Sequence, residues 1–170
     1  MDAISTPGPA RSQPPAALRI RIQPGGLDHP AVQRLLREHL HGMAQLSPAE
    51  SIHALDLSRL QAPGIAFWSA WHDEALLGCA ALKSLGDVQG EVKSMRTVAA
   101  YMRCGVAAAL LDHLIDEARA RGWTRLNLET GTAPAFEPAH RLYRRFGFEP
   151  CAPFGDYRPD PHSRFMTRRL

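Results

Sequence analysis

Apolar and charged residues alternate through Leu18-Arg19-Ile20-Arg21-Ile22, the period-two pattern of a strand with one buried face, and Pro24-Gly25-Gly26 ends it. The period then lengthens. Val32, Leu35, Leu36 and Leu40 share one helical stripe, with Asp28 placed to cap the start and Pro30 suited to the first turn. Ser47-Pro48-Ala49-Glu50 repeats that opening, with Ser47 as cap and Glu50 completing a capping box, so a second helix is expected within Ser47 to Leu60. Ile65 to Trp71 and Leu76 to Leu82 are apolar runs split by His72-Asp73-Glu74, which reads as a hairpin. A turn around Gly86, Asp87 and Gly90 leads into a strand over about Glu91 to Thr97. The longest helical pattern, about 105 to 121, buries Val106, Ala109, Leu110, His113, Leu114 and Ala118, wets Asp112, Asp116 and Glu117, and stops at Gly122. A strand near 125–130, a helix closed by Gly147 and two further strands, the last over Phe165 to Arg169, complete the chain.

A strand, helix, strand order across 91–130 favours a parallel pair with a right-handed crossover. The expected fold is therefore α/β of the mixed α+β kind: a mostly antiparallel sheet, antiparallel strands first, a central parallel pair, and helices on both faces. At 170 residues the chain fits one compact domain. Residues 1–16, with Pro7, Pro9, Pro14 and Pro15 among small and polar residues, read as a disordered tail, leaving 17–170 as the domain.

The net charge of +3 is small and the arginines are scattered, several of them in last helical turns, which argues against a nucleic-acid surface. Cys79, Cys104 and Cys151 are far apart and form no Cys-x-x-Cys pair, and His39, His41, His53, His113 and His140 have no ligand spacing, so no metal site is expected. His113, on an apolar stripe, reads as a satisfied core histidine. No apolar run approaches ~20 residues and no basic-then-apolar leader opens the chain, which points to a cytoplasmic protein with no membrane partner.

Chemistry concentrates where Met95-Arg96-Thr97 runs through a Gly/Ala turn, Met102-Arg103-Cys104-Gly105-Val106-Ala107-Ala108, into the long helix. The first amides of a helix lack intrahelical partners and carry partial positive charge, so an anion is stabilised there without a dedicated lysine. Leu142-Tyr143-Arg144-Arg145-Phe146-Gly147-Phe148 follows at the end of a later helix. Together these segments resemble the GCN5-related N-acetyltransferases, whose signatures are an Arg/Gln-x-x-Gly-x-Gly/Ala pyrophosphate turn and a Leu-Tyr-x-x-x-Gly-Phe helix end. The resemblance spans about residues 18–170.

The resemblance implies acetyl-CoA as co-substrate, a splayed parallel strand pair, and direct transfer of acetyl to a primary amine of a small metabolite or of a protein or peptide. It also leaves room for a homodimer. The same fold admits a non-catalytic acyl-CoA binding module, since Met102 stands where the family carries Arg or Gln. Carried over, Met102 to Ala108 would cradle the diphosphate, the main chain of Met95, Arg96 and Thr97 would pair with the pantetheine arm, and Phe136 would also contact the cofactor. Tyr143 takes the position of a general acid for the thiolate. Glu91, eleven residues before Met102, matches a catalytic glutamate of some members and, by period-two alternation, shares a strand face with Met95 and Thr97; Glu129 is the alternative base. Acceptor contacts are expected from His53, Asp156 and Arg158, with Glu50 and Asp56 further candidates, and Lys93 and Arg96 suggest a carboxylate on the acceptor.

Overall fold

The computed structural model describes residues 18–86 and 88–170; the expected tail and the turn residue Asp87 lie outside the described residues. Seven strands, β1 (Arg21–Pro24), β2 (Ile65–His72), β3 (Ala75–Ser84), β4 (Gln89–Thr97), β5 (Arg125–Gly131), β6 (Glu149–Pro150) and β7 (Ser163–Arg169), form one sheet in the order β1-β2-β3-β4-β5-β7-β6. All neighbours are antiparallel except β4 and β5. Helices α1 (Pro30–Leu46) and α2 (Leu57–Leu60) cover one face, and α3 (Val106–Ala120) with α4 (Glu137–Arg145) the other. This is the mixed sheet expected from the element order.

The core is split accordingly. Val32, Leu35, Leu36, Leu60, Phe67, Trp71, Cys79 and Ala81 pack on the α1 side, while Leu77, Ala80, Leu82, Val92, Leu110, Leu114, Leu126, Leu128 and Met166 pack on the α3 side. The alternation of β1 is real, since Leu18, Ile20 and Ile22 lie against the α3-side core.

Both predicted glycine stops close their helices in the same way. Gly122 (φ +74°) and Gly147 (φ +78°) adopt the left-handed conformation, with the Gly122 and Trp123 amides returning to Arg119 and Ala118, and the Gly147 and Phe148 amides to Arg144 and Tyr143.

Three local expectations are overturned. Asp28 does not cap α1; His29 does, its Nδ1 accepting from the Ala31 amide at 3.2 Å. Ser47 ends α1 instead of opening a second helix: a residue before proline is barred from the helical region, and Ser47, ahead of Pro48, is extended at φ −141°, ψ 147°. The capping box is absent, and the expected helix reduces to one 3-10 turn over Ala49–Ser51 and the four residues of α2. Third, Glu91 does not share a face with Met95 and Thr97. Cys79, Ala81 and Lys83 of β3 point to the α1 side, and their partners on β4 are Arg96, Lys93 and Glu91, so that β4 advances three residues from Lys93 to Arg96 where β3 uses two between Ala81 and Cys79. The bulge lies at Ser94, φ +48°, and it turns Met95 onto the α3-side core.

Candidate active site

Strands β4 and β5 are paired only from Gln89–Val92 against Arg125–Leu128, yet they continue to Thr97 and Gly131. Beyond Val92 and Leu128 their ladder stops, so each strand continues without the other as its partner. The far end of the opening is closed by Asn127, 2% exposed, which accepts from Thr167 Oγ1 at 2.7 Å and donates to Gln89 and to the Gly90 carbonyl.

At the mouth of the opening, Arg103 (φ +60°) and Gly105 (φ +85°) turn the chain into α3. The first amide to find a partner in the helix is that of Ala109, on the Gly105 carbonyl at 3.0 Å. Those of Gly105, Val106, Ala107 and Ala108 have no backbone partner among the described residues, whereas the Cys104 amide is already bound to the Tyr101 carbonyl. Of the expected run from Met102 to Ala108, the amides without a backbone partner therefore begin at Gly105. No protein atom lies within 4 Å of where a Cβ would stand on Gly105, so the approach to these amides is open. Met102 and Arg103 are exposed at its rim. These features fit a diphosphate.

Helix α4 is fixed to the end of β5 by His140, 2% exposed. Its Nε2 lies 2.9 Å from the Gly131 carbonyl, and its Nδ1 lies 3.1 Å from Arg164 and 3.3 Å from Glu137 Oε2. Phe136 packs its ring over Gly131, where an added Cβ would come within 2.2 Å of it. Tyr143 lies in the α3-side core with its ring on Phe148, and burial, with the Glu129 charge nearby, pushes its phenol up to about 12.

On the α1 side the two strands carry a closed polar network. Glu91 is 1% exposed, and its Oε1 accepts from Tyr157 Oη at 2.6 Å and from Lys93 Nζ at 3.1 Å. Lys93 also donates to Tyr157 Oη at 2.8 Å and to the His53 carbonyl at 2.9 Å. Tyr157 is wedged among His53, Phe154 and Phe165, and burial together with the Glu91 and Glu129 charges raises its phenol far above the ordinary range. Glu129, opposite Phe165 on β7, is half-buried; desolvation raises its carboxyl, Ser163, His53 and Lys93 oppose the rise, and the Glu91 charge adds to it.

The structure thus brings Glu91, Glu129, Lys93 and His53, expected in separate roles, together on the α1 side, but gives Glu91 a different situation from that of a solvent-reaching base: its carboxylate is already engaged by Lys93 and Tyr157. Asp156 and Arg158 are exposed, with no side-chain hydrogen bond or ion pair among the described residues. The residue between them, Tyr157, is the one that turns inward. Only its aromatic character between two charges hinted at this. Asp56 is spent capping α2, accepting from the Arg59 amide at 2.9 Å, and Glu50 is exposed. His113 is not a satisfied core histidine: it stands edge-on to Trp68 at 5.4 Å, and its buried Nε2 has no partner among the described residues. Those residues hold no cluster of metal-ligating side chains and no helix long and apolar enough to cross a membrane.

Comparison with known proteins agrees with this geometry. The sequence model of the acetyltransferase (GNAT) family matches residues 31–148. An uncharacterized N-acetyltransferase of Bacillus subtilis, YsnE, is 55% identical over 82% of this chain and 92% of its own length. A protein of Azospirillum brasilense named IAA acetyltransferase is 40% identical over 82% of this chain and 91% of its own. Among solved structures, a putative acyl-CoA N-acyltransferase from Klebsiella pneumoniae superposes with a TM-score of 0.72 at 23% identity, covering 89% of this chain and 97% of that one. A GNAT acetyltransferase from Elizabethkingia anophelis with acetyl-CoA bound gives 0.64 at 18% identity, covering 89% and 98%. A splayed parallel pair opening onto bare helix-start amides, in a chain that matches the family over most of its length, belongs to an N-acetyltransferase of the GNAT family.

Proposed function

We propose that this enzyme transfers the acetyl group of acetyl-CoA directly to the primary amine of a small metabolite, within a ternary complex. The observation that carries this reading is the convergence, at one end of the sheet, of unpartnered amides from Gly105 to Ala108, the divergence of β4 and β5 after Val92 and Leu128, and the half-buried carboxylate of Glu129 beside that opening. The amides hold the diphosphate, and the backbone of Met95, Arg96 and Thr97, which has β3 on one side and no strand partner on the β5 side, orients the thioester. Phe136, half-buried above Gly131, borders the same end of β5 on the cofactor side.

An amine must lose a proton before its lone pair can attack the thioester carbon. Glu129 is the acceptor of that proton: burial raises its basicity, and it retains exposure to the opening. Glu91 acts through it, as a buried charge that keeps Glu129 basic and anchors Lys93 and Tyr157. When the carbon–sulfur bond breaks, the thiolate needs a donor, and Tyr143 supplies it. With its phenol pushed up to about 12, complete proton transfer to a thiolate of ordinary affinity would be uphill by roughly 5 kcal/mol, so Tyr143 works mainly by hydrogen-bond donation, and the proton is made up from solvent.

The test is Tyr143→Phe in an assay of free coenzyme A release. Losing one hydrogen bond to a charged group costs about 1.5–3 kcal/mol, so kcat falls roughly 10- to 100-fold while the Kd for acetyl-CoA stays within about twofold. An unchanged kcat removes Tyr143 from the chemistry.

A further inference from the structure

The bulge at Ser94 decides which cation faces the acceptor. In an unbroken strand Arg96 would point away from Lys93, toward α3; with Ser94 at φ +48° it pairs with Cys79 and joins Lys93 and Glu91 on the α1 side. A non-glycine residue in the left-handed region is strained, so this orientation is held at a cost.

The charges beside the opening can be taken one by one. Lys93 has three protons and all are placed, on His53, Glu91 and Tyr157. Its charge is matched by Glu91. His39 approaches from α1, and burial with the Arg96 and Lys93 charges lowers it to about 4, leaving it neutral at physiological pH. Two charges remain. Glu129 carries the negative one, and Arg96, half-buried, carries the positive one with no ion pair or side-chain hydrogen bond among the described residues. They stand on the two strands that diverge, on either side of the opening, and no ion pair joins them among the described residues.

A half-buried guanidinium without a counter-ion is free to take a ligand, and its fork matches a carboxylate in bidentate geometry. We infer that the acceptor is a small amino acid, its carboxylate held by Arg96 and its amine directed to Glu129, beside the stacked pair of His53 and Tyr157. The assignment rests on the acetyl-transfer reading above and adds the class of acceptor to it. It narrows the pair of candidate cations to one, because Lys93 has no proton to offer.

The experiment compares matched acceptors. Coenzyme A release is measured for a panel of free amino acids, the corresponding amino acid amides and the corresponding decarboxylated amines, with the wild type, Arg96→Gln and Arg96→Lys, each checked for folding by thermal melting. The best free amino acid is expected to exceed its amide at least 100-fold in kcat/KM. Arg96→Gln should bring that ratio to within a few-fold of one, mainly through KM, and Arg96→Lys should restore part of it. Amides or decarboxylated amines used as well as the amino acids, or a preference that survives Arg96→Gln, overturn the carboxylate site while acetyl transfer to amines stands. Release with no amine of the panel overturns the transfer reading and this assignment with it.

Discussion

Replacing Glu91 by glutamine separates a buried ion pair from a catalytic base. The side chain keeps its volume and an acceptor oxygen, but Lys93, 7% exposed, loses its only ion-pair partner among the described residues and retains two neutral ones, the His53 carbonyl and Tyr157. Breaking a buried pair from one side costs about 3–5 kcal/mol, and the two remaining acceptors reduce this to about 2–4. For a chain of this size each kcal/mol lowers Tm by about 2–4 °C, so a fall of roughly 5–15 °C is expected. Urea denaturation followed by the fluorescence of Trp68, Trp71 and Trp123 should show the midpoint lowered and the slope unchanged. The double replacement Glu91→Leu with Lys93→Met should recover most of the loss, because it removes both charges. Removing the Glu91 charge should also let the Glu129 carboxyl fall, moving the acid limb of the pH–rate profile to lower pH. A Glu91→Gln protein within about 0.5 kcal/mol of wild type would refute the claim that this pair is buried and coupled.

Three further outcomes follow from the same geometry. Glu129 is raised by burial, so in the folded protein it holds its proton at pH values where the unfolded chain has released it, and stability falls as pH rises through that window. Glu129→Gln should therefore be more stable than wild type at pH 8 in urea titrations and slower in kcat by about 100-fold or more; lower stability at pH 8 would contradict the assignment. His39, lowered from 6.5 to about 4, works in the opposite sense: below pH 6.5 the unfolded chain binds a proton that the folded one refuses, so roughly 3 kcal/mol of stability is lost between pH 6.5 and 4, and His39→Gln should flatten that slope. An identical slope in the variant places the titrating group elsewhere. Met102, 51% exposed at the rim of the cradle, offers no phosphate contact, and Met102→Arg should tighten the Kd for acetyl-CoA by about 3- to 10-fold in calorimetric titration, with no gain if the diphosphate binds elsewhere.

What could be read from the chain depended on how local its cause was. Gly122 and Gly147 end their helices because a few adjacent residues suffice to form that turn. The order of apolar periods around 91–130 conveyed the parallel pair and its crossover, and the helix-start amides followed from where α3 had to begin. The bulge at Ser94 was out of reach, because it exists only as a mismatch between β4 and its partner β3, and it reversed the facing of Met95, Arg96 and Thr97. Tyr157 was missed for a similar reason: the loop that carries it crosses to Glu91, 66 positions away in sequence. The second helix failed on a competition between two valid local signals, in which proline's restriction on Ser47 outweighed the capping box.

The central claim is that the main-chain donors at the start of α3 hold the diphosphate of acetyl-CoA at the mouth of the opened strands. A crystal structure of the enzyme with coenzyme A bound tests it most directly. The account predicts diphosphate oxygens within about 3 Å of the amide nitrogens of Gly105 to Ala108 and the pantetheine arm lying between β4 and β5. Coenzyme A bound at any other surface, with those amides facing only water, would contradict it.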